Sequence, residues 1–228
     1  MQKIPTSCRT LDEFLKGGFQ VGSVTLVFGE AETGKTTLAM QCAANCARFG
    51  FKTLFVDSDE TFSARRLSQI AREQFKAIAE MIILVRPNDF REQAVIVDQL
   101  TDYVNKNFKL VVFDTVTSLY RLRISELPSK TFELNRELNR QLAVLAQMAR
   151  TQKIALLLTS QVHSVLNEIP ISIEPVATRV LKFWADTVVA MKLTETPQTI
   201  RATVEKNPAN LPAISCDLRI EETGITEH

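Results

Sequence analysis

The strongest constraint in this sequence is a regular alternation of short, continuously apolar segments with longer amphipathic ones. The apolar segments are rich in β-branched residues, which is typical of strands that are covered on both faces. Strand, helix and strand in this order predict right-handed βαβ units, and therefore an α/β fold with a mostly parallel, twisted sheet and helices on both faces. The predicted strands lie at 24–28, 53–57, 81–85, 110–114 and 154–159, and the predicted helices at about 35–48, 63–79, 89–106 and 131–152.

The pattern changes after about residue 187. Two further strand-like segments, TVVAMKL at 187–193 and IRATVE at 200–205, follow each other without a helical segment between them. We expect antiparallel hairpins that extend the same sheet. The stretch from Asp217 onward, with four acids and one arginine, is predicted to be a solvated end. Since no linker, repeat or low-complexity tract interrupts the chain, we expect one domain over residues 1–228.

Charge and composition narrow the functional classes. With 27 basic and 26 acidic residues the net charge is +1, so nucleic acid would have to be bound by a local patch. No apolar run reaches the roughly 18 residues of a transmembrane helix, and no membrane partner is expected. Four cysteines without a CxxC spacing indicate free thiols in a reducing compartment, and hence a cytoplasmic protein. Cys42 and Cys46 are predicted to be buried thiols rather than metal ligands.

Glycine is scarce in this chain and is concentrated before the first long helix: five of the seven glycines fall between residues 17 and 34. The segment that joins the first strand to this helix fits the pattern GxxxxGK[ST] of a phosphate-binding loop. The main-chain N–H groups of such a loop cradle phosphate oxygens at the positive end of a helix. Its lysine reaches the β- and γ-phosphates, and its threonine hydroxyl binds Mg²⁺. The predicted nucleotide-binding residues are Gly29, Glu30, Ala31, Glu32, Thr33, Gly34, Lys35, Thr36 and Thr37.

Two of the predicted strands end in an aspartate: Asp114 closes LVVFD and Asp57 closes TLFVD. A carboxylate at such a position holds the magnesium ion of a bound nucleotide. We expect Asp114 to bind Mg²⁺ together with Thr36, whereas Asp57 is equally well explained as the cap of a helix or a loop. The phosphate loop and this carboxylate together predict a protein that binds a nucleoside triphosphate with Mg²⁺.

Further motifs follow the same order as those of a known family. They are SCRTLDEFLKGGFQ before the phosphate loop, then FVDSDETFSARRL, FDTVTSLYR and LLLTSQV. Together these segments resemble the RecA-fold recombinases, including the archaeal RadA group, over nearly the whole chain. The resemblance implies a RecA-like P-loop NTPase fold and an ATP-dependent role in DNA repair and homologous recombination. It also implies that residues 1–228 correspond to the ATPase core, without an N-terminal helix-hairpin-helix domain.

The resemblance implies roles for individual residues. The catalytic glutamate that orients the attacking water falls on Asp59, which is one methylene shorter, and Glu60 replaces the usual glycine. Either Asp59 works through a shifted water, or Glu60 substitutes for it, or hydrolysis is slow. Gln161 matches the glutamine that senses the γ-phosphate, and Arg66, or its neighbour Arg65, would stack on adenine. The predicted catalytic residues are Lys35, Asp59, Glu60 and Gln161.

Two loops face DNA in the resembled family, and they correspond to about 121–131 and 162–176 here. From 121 to 150 there are six basic and three acidic side chains, a local charge of +3 that predicts weak, salt-sensitive binding of single-stranded or branched DNA. The second loop has two glutamates, no lysine or arginine and no aromatic residue. Lys206 lies where the family caps the ATP of a neighbouring subunit, which would require a homo-oligomer. The predicted DNA contacts are Arg121, Arg123 and Lys130.

Two other functions are compatible with the sequence. One is a nucleotide-switched accessory module that binds a recombinase or a nuclease and hydrolyses little ATP. The other is a KaiC-like signalling ATPase that assembles into a ring. The intact phosphate loop and Asp114 favour the recombination ATPase, whereas Asp59 and the acidic second loop favour the accessory module.

Overall fold

The computed structural model describes residues 2–161, 176–209 and 211–227. In this part of the chain a nine-stranded sheet has the spatial order β11-β10-β9-β8-β3-β7-β6-β4-β5, and β1 and β2 form a separate short hairpin. The strands are β1 Lys3–Ile4, β2 Phe19–Gln20, β3 Val24–Gly29, β4 Lys52–Asp57, β5 Ile82–Val85, β6 Phe108–Asp114, β7 Ala155–Gln161, β8 Thr187–Leu193, β9 Thr199–Lys206, β10 Ile214–Glu221 and β11 Gly224–Glu227. The helices are α1 Arg9–Phe14, α2 Lys35–Arg48, α3 Ala64–Ala71, α4 Phe75–Ala79, α5 Phe90–Tyr103, α6 Ser118–Glu126, α7 Thr131–Gln152 and α8 Val176–Trp184, with 3₁₀ turns at Arg72–Gln74 and Pro128–Lys130.

The parallel strands bring their carboxyl ends to one edge of the sheet. Strand β3 pairs in parallel with β7 and β8, and β6 pairs in parallel with β4 and β7. In this register Gly29 lies opposite Gln161, and Asp57 lies opposite Asp114. Ligand sites of open α/β sheets lie at this carboxyl edge. The predicted α/β fold, with a mostly parallel sheet and antiparallel C-terminal strands, is confirmed.

Two apolar layers cover the sheet. Helices α2, α3 and α4 pack on one face against side chains such as Phe55 and Leu157. Helices α5, α6, α7 and α8 pack on the other face against side chains such as Leu54 and Leu156. Adjacent strand residues thus point to opposite layers, as the pleat requires. Both faces are buried, which explains why the strands read as continuous apolar runs.

Three helical features differ from the sequence-based prediction. The helix expected over 63–79 is broken into α3, a 3₁₀ turn and α4, because Arg72 has a left-handed φ of 52° that an α-helix does not accommodate. Helices α6 and α8 were not predicted. In α6 the buried Leu119 and Tyr120 are followed by Leu122, which is 55% exposed, so its apolar residues do not form one stripe.

The predicted solvated C-terminal end was wrong. Residues from Asp217 onward belong to β10 and β11, and the side chains of Leu218 and Ile225 are buried. Charged residues alternate with these apolar ones because one face of the hairpin packs against α2 and the other faces solvent. Among the described residues, no helix combines the length and the apolar character that a membrane crossing needs.

Candidate nucleotide-binding site

The predicted phosphate loop joins β3 to α2 at the carboxyl edge of the sheet. Gly29 is required by close packing, since a Cβ atom there would lie 2.0 Å from the carbonyl oxygen of Met191 in β8. Gly34 has a φ of +85° and directly precedes the first residue of α2. Only glycine adopts this conformation without steric cost. The loop therefore leads main-chain N–H groups into the positive end of a 14-residue helix, which is the geometry of an anion site.

Lys35 is the first residue of α2, and its side chain lies against the loop rather than in solvent. Its ammonium group donates hydrogen bonds to the carbonyl oxygen of Glu30 and to Thr33 Oγ1, the latter at 3.3 Å. Burial lowers the pKa of Lys35, while the carboxylates of Asp114 and Asp59 oppose this shift. The ammonium group thus faces two acids of the carboxyl edge, as a phosphate-binding lysine next to a metal site would.

Asp114 ends β6, is fully buried and accepts a hydrogen bond from Thr159 Oγ1. Burial raises the pKa of Asp114, although hydrogen bonds from Thr159 and Thr36 favour its charged form. The two predicted Mg²⁺ ligands, Thr36 and Asp114, therefore lie side by side. Both offer oxygen ligands, which Mg²⁺ prefers. Within the described ranges no three His, Cys, Asp or Glu side chains cluster as a metal cage. A site with few protein ligands fits Mg²⁺, which uses water and substrate phosphates for the remainder.

Asp57 has a different role from Asp114, although both end neighbouring strands. Its carboxylate accepts hydrogen bonds from the backbone N–H groups of Thr61 at 2.9 Å and Phe62 at 3.1 Å. It also forms an ion pair with Arg86, with Nε at 3.0 Å. Of the two interpretations that the sequence allowed for Asp57, the structure favours the loop carboxylate.

Asp59 and Glu60 follow this strand but face different surroundings. The Asp59 carboxylate acts electrostatically on three groups of the site: it adds to the burial that raises the pKa of Asp114, and it opposes the burial that lowers the pKa values of Lys35 and Arg121. Glu60 is exposed and has a φ of +55°, a left-handed conformation that favours glycine. This explains why the resembled motif has glycine at this position. Of the two acids, Asp59 is the half-buried one, and its charge acts on Lys35 of the phosphate loop.

Gln161 ends β7 next to the phosphate loop, and Arg121 contacts it. The Arg121 guanidinium donates a hydrogen bond to the carbonyl oxygen of Gln161. Burial lowers the pKa of Arg121, and the Asp59 carboxylate opposes this shift. Arg121 was predicted to contact DNA, but it is half-buried at the nucleotide end of the sheet. The motif FDTVTSLYR carried the signal, because its arginine falls in the first turn of α6 just after the Asp114 turn.

The C-terminal hairpin forms a further wall of the site. Arg66 Nη1 donates to the carbonyl oxygen of Glu222 at 2.8 Å, whereas Arg65 is exposed. Gln69 Nε2 donates to Glu222 Oε1 at 3.1 Å. A Cβ atom at Gly34 would lie 3.2 Å from the Ile220 and Ile225 side chains, so the hairpin packs directly against the phosphate loop. Sequence reasoning missed this wall because it is built by long-range contacts.

The residues predicted to bind DNA do not form a common cluster of unpaired cations. Arg123 is exposed but forms an ion pair with Glu126 at 2.8 Å, and Lys130 lies in an exposed 3₁₀ turn. Two more of the six basic residues counted from 121 to 150 are in ion pairs: Arg140 with Asp98 and Glu137, and Arg150 with Asp186. Fewer basic side chains are therefore available to bind DNA phosphates than the local charge of +3 suggests. The predicted second loop lies outside the described residues, apart from Val176 at the start of α8.

Lys206 contacts its own chain. Its ammonium group donates to the carbonyl oxygens of Lys182 at 3.3 Å and Ala185 at 2.5 Å. These carbonyls lie at the carboxyl end of α8, where a cation is favourable. The structure thus places Lys206 as a cap of α8. The buried, free thiols predicted for Cys42 and Cys46 are confirmed.

Comparisons with known proteins agree with this geometry. The family model described as Rad51 matches residues 1–228. The DNA repair and recombination protein RadB of Methanococcoides burtonii is 33% identical over 224 residues, which are 98% of this chain and 97% of the relative. The RadB protein of Methanobrevibacter smithii is 30% identical over 227 residues, 98% of this chain and 95% of the relative. A solved structure of the RadB recombinase superposes with a TM-score of 0.83 at 31% identity and covers 99% of both chains. The chain therefore belongs to the Rad51 family.

Proposed function

We propose that this protein is an ATPase of DNA repair and homologous recombination that binds ATP with Mg²⁺ at the carboxyl edge of its sheet and hydrolyses it slowly. One observation carries the proposal: the Lys35 ammonium, the Thr36 hydroxyl and the buried Asp114 carboxylate converge at the start of α2. This combination offers a cation for phosphate and oxygen ligands for a metal at the same point. The names of the RadB relatives supply the DNA repair and recombination context.

Each residue of the site has its own role in binding or hydrolysing ATP. The N–H groups of the loop and the Lys35 ammonium hold the β- and γ-phosphates. Thr36 and Asp114 hold Mg²⁺, which, when bound, neutralises charge on the transferred phosphoryl group. Asp59 accepts a hydrogen bond from the attacking water, and Gln161 contacts the γ-phosphate. Arg66 and the hairpin turn at Glu222 line the side of the site where the nucleotide base would lie.

Slow hydrolysis follows from the length of Asp59. A general base acts at about 2.6–3.2 Å from the group it deprotonates, directly or through one water. An aspartate has one methylene less than glutamate, which removes about 1.5 Å of reach. Asp59 therefore holds the water from further away. Glu60 does not replace it, because its side chain is exposed to solvent.

DNA binding is the weaker part of the proposal. We propose that single-stranded or branched DNA is bound with low affinity and strong salt dependence, because four of the six basic side chains from 121 to 150 are engaged within the chain. Arg123 and Lys130 stay as the proposed contacts. Binding to a recombinase or nuclease, homo-oligomer formation and a cytoplasmic location stay predictions. Residues 1–228 would act as one ATPase core.

Titration calorimetry tests the nucleotide site. The wild-type protein should bind a non-hydrolysable ATP analogue only with Mg²⁺ present, and Lys35→Ala should weaken binding at least tenfold, or about 1.4 kcal/mol. Lys76→Ala, an exposed lysine of α4, is the matched control and should bind like wild type. Equal affinities of the Lys35 and Lys76 variants would contradict the proposal. A hydrolysis rate measured with and without single-stranded DNA at low salt then tests the coupling to DNA.

A further inference from the structure

Two glutamines lie in the apolar layer formed by α5 and α7. The side chains of Gln93 on α5 and Gln141 on α7 are both fully buried. Each occupies a helical position at which its neighbours are apolar: Gln93 follows Phe90 by three residues, and Gln141 follows Leu138 by three. A buried amide without hydrogen-bond partners destabilises the folded state. Such residues therefore need hydrogen bonds that an apolar side chain would not make.

Gln93 joins the two loops that carry the acids of the site. Its Nε2 donates to the carbonyl oxygen of Val116 at 3.3 Å, and its Oε1 accepts from Ser58 Oγ at 3.3 Å. Ser58 directly precedes Asp59, and Val116 is two residues beyond Asp114. One buried side chain thus bridges the loop after β4 and the loop after β6.

Backbone hydrogen bonds hold the same two loops at fixed points. Ser58 N donates to the carbonyl oxygen of Asp114 at 2.8 Å, and Val116 N donates to that of Thr159 at 3.1 Å. The Gln93 side chain adds to these backbone bonds, since it forms hydrogen bonds with both the Ser58 hydroxyl and the Val116 carbonyl oxygen. Gln93 therefore adds a side-chain link to the backbone hydrogen bond that joins the Asp59 loop to the Asp114 loop.

The orientation of the Gln93 amide is set by the Val116 carbonyl, which only accepts, and is supported by residues further from the site. Glu137, when ionised, only accepts hydrogen bonds, so Gln141 must present Nε2 to it, at 3.2 Å from Glu137 Oε1. Gln141 Oε1 then faces Gln93 and accepts from Gln93 Nε2 at 2.9 Å. This leaves Gln93 Oε1 for Ser58. Glu137 is itself held by Arg140, at 2.8 Å.

We propose that Gln93 is a positioning residue for ATP hydrolysis, and that Gln141, oriented by Glu137, supports its amide. Gln93 holds the Asp59 loop against the Asp114 loop, and it contacts neither phosphate nor metal. The proposal rests on the proposed role of Asp59. It predicts an effect on kcat with little effect on nucleotide affinity, because Lys35, Thr36 and the phosphate loop are not contacted by Gln93.

The main test is Gln93→Met, which keeps the side-chain volume and removes the amide. We expect kcat for ATP to fall about tenfold while KM changes by less than about twofold, since a small displacement of a catalytic group mainly affects turnover. Gln152→Met is the matched control. Gln152 also joins α7 to α5, through a hydrogen bond from Nε2 to Thr101 O at 2.7 Å, but at the far ends of both helices. It should leave kcat unchanged.

A second measurement separates this proposal from the role of Asp59. Asp59→Asn and the double variant Asp59→Asn with Gln93→Met should have the same kcat, because Gln93 acts through Asp59. If Asp59→Asn alone leaves kcat unchanged, the proposed role of Asp59 is wrong. Hydrogen exchange then still tests the loop: the Ser58 and Thr61 amides should exchange about tenfold faster in Gln93→Met than in Gln152→Met. Equal exchange, or a Gln93 effect that persists in full without Asp59, would overturn the proposal.

If Gln93→Met does not fold, Glu137→Gln provides a second test of the proposal. Its side chain is one-third exposed, so the substitution should be tolerated. A glutamine there can donate as well as accept, so the Gln141 amide can reverse and no longer accept from Gln93 Nε2. We expect kcat to fall about threefold at unchanged Tm. An unchanged kcat in both Glu137→Gln and Gln141→Met would overturn the proposal.

Discussion

Gln41 of α2 and Ile225 of β11 are joined by two hydrogen bonds. Gln41 Oε1 accepts from Ile225 N at 2.8 Å, and Gln41 Nε2 donates to Ile225 O at 2.9 Å. The Gln41 side-chain amide thus pairs with both backbone groups of Ile225, as the backbone of a neighbouring strand would. Because α2 begins at the phosphate loop, this contact ties the last strand of the described chain to the nucleotide site.

Gln41→Ala should destabilise the protein and weaken nucleotide binding. Gln41→Ala removes three buried hydrogen bonds, the two to the Ile225 backbone and one to the Thr6 carbonyl oxygen at 2.7 Å, which should lower the free energy of unfolding by about 1–3 kcal/mol. The hairpin that holds Arg66 would also lose its anchor, so affinity for ATP should fall. Urea denaturation and calorimetry measure the two effects. Gln147→Ala, an exposed glutamine of α7, is the control, and identical behaviour of the two variants would refute the anchoring role.

Arg86→Met should be costly even though Arg86 is 47% exposed. Its partner Asp57 is fully buried, and removing the guanidinium leaves this carboxylate with the two backbone N–H donors alone. We expect the free energy of unfolding to fall by about 1–3 kcal/mol. Arg9→Met is the control. It removes the ion pair Arg9–Glu13, which has the same distance of 3.0 Å but in which both side chains are exposed. That variant should stay within about 0.5 kcal/mol of wild type. Chemical denaturation of both variants checks the contrast.

Asp114→Asn should stabilise the nucleotide-free protein at neutral pH and abolish Mg²⁺-dependent ATP binding. Burial raises the pKa of Asp114 above its value in the unfolded chain. The contribution of this group to stability is therefore fully present below the unfolded pKa of about 3.9 and is lost as pH rises through the folded pKa. Asparagine avoids this loss, so Tm should exceed that of wild type at neutral pH.

The gain in Tm of Asp114→Asn should disappear in acid, where the wild-type carboxyl is protonated. Thermal unfolding over a pH series measures this dependence. Asp102→Asn, an exposed residue of α5, should show no such pH-dependent difference. A variant that is less stable than wild type at every pH would show that the Thr159 and Thr36 hydrogen bonds outweigh burial.

Asp59→Glu should increase ATP hydrolysis. The added methylene restores about 1.5 Å of reach toward the water, and we expect kcat to rise at least about threefold. Steady-state phosphate release measures the change. Glu60→Gln is the control, because the Glu60 side chain is exposed and should not affect turnover. A lower kcat in Asp59→Glu would mean that the loop is built for the shorter acid.

Local patterns were sufficient for the central part of the fold. The strands β3, β4, β6 and β7 were predicted because both of their faces are buried, which makes them continuously apolar, and the edge strand β5 was predicted because it is apolar although only half-buried. The phosphate loop was predicted because Gly29, Gly34, Lys35 and Thr36 must stand at a set spacing between a strand and a helix. Each of these features depends on neighbours in sequence, and periodicity and spacing record such dependence directly.

Contacts between residues that are distant in sequence were not predicted. Arg121 was assigned to DNA because the resembled family has a DNA-facing loop at this position, and its hydrogen bond to Gln161, forty residues away, was not predicted. Gln93 and Gln141 interrupt apolar stripes, and that interruption was the available signal. What they bridge is not visible without the packing of α5 on α7.

The sequence by itself therefore determined the βαβ core and the phosphate loop, because their hydrogen bonds and apolar periodicity are local. The tertiary structure alone decided which charged and polar side chains complete the site. Such groups are stabilised by partners that meet only when the strand ends converge at one edge, and burial then sets their charge and contacts. Asp57 and Asp114 illustrate this difference, since two aspartates in the same sequence context become a loop anchor and a candidate metal ligand.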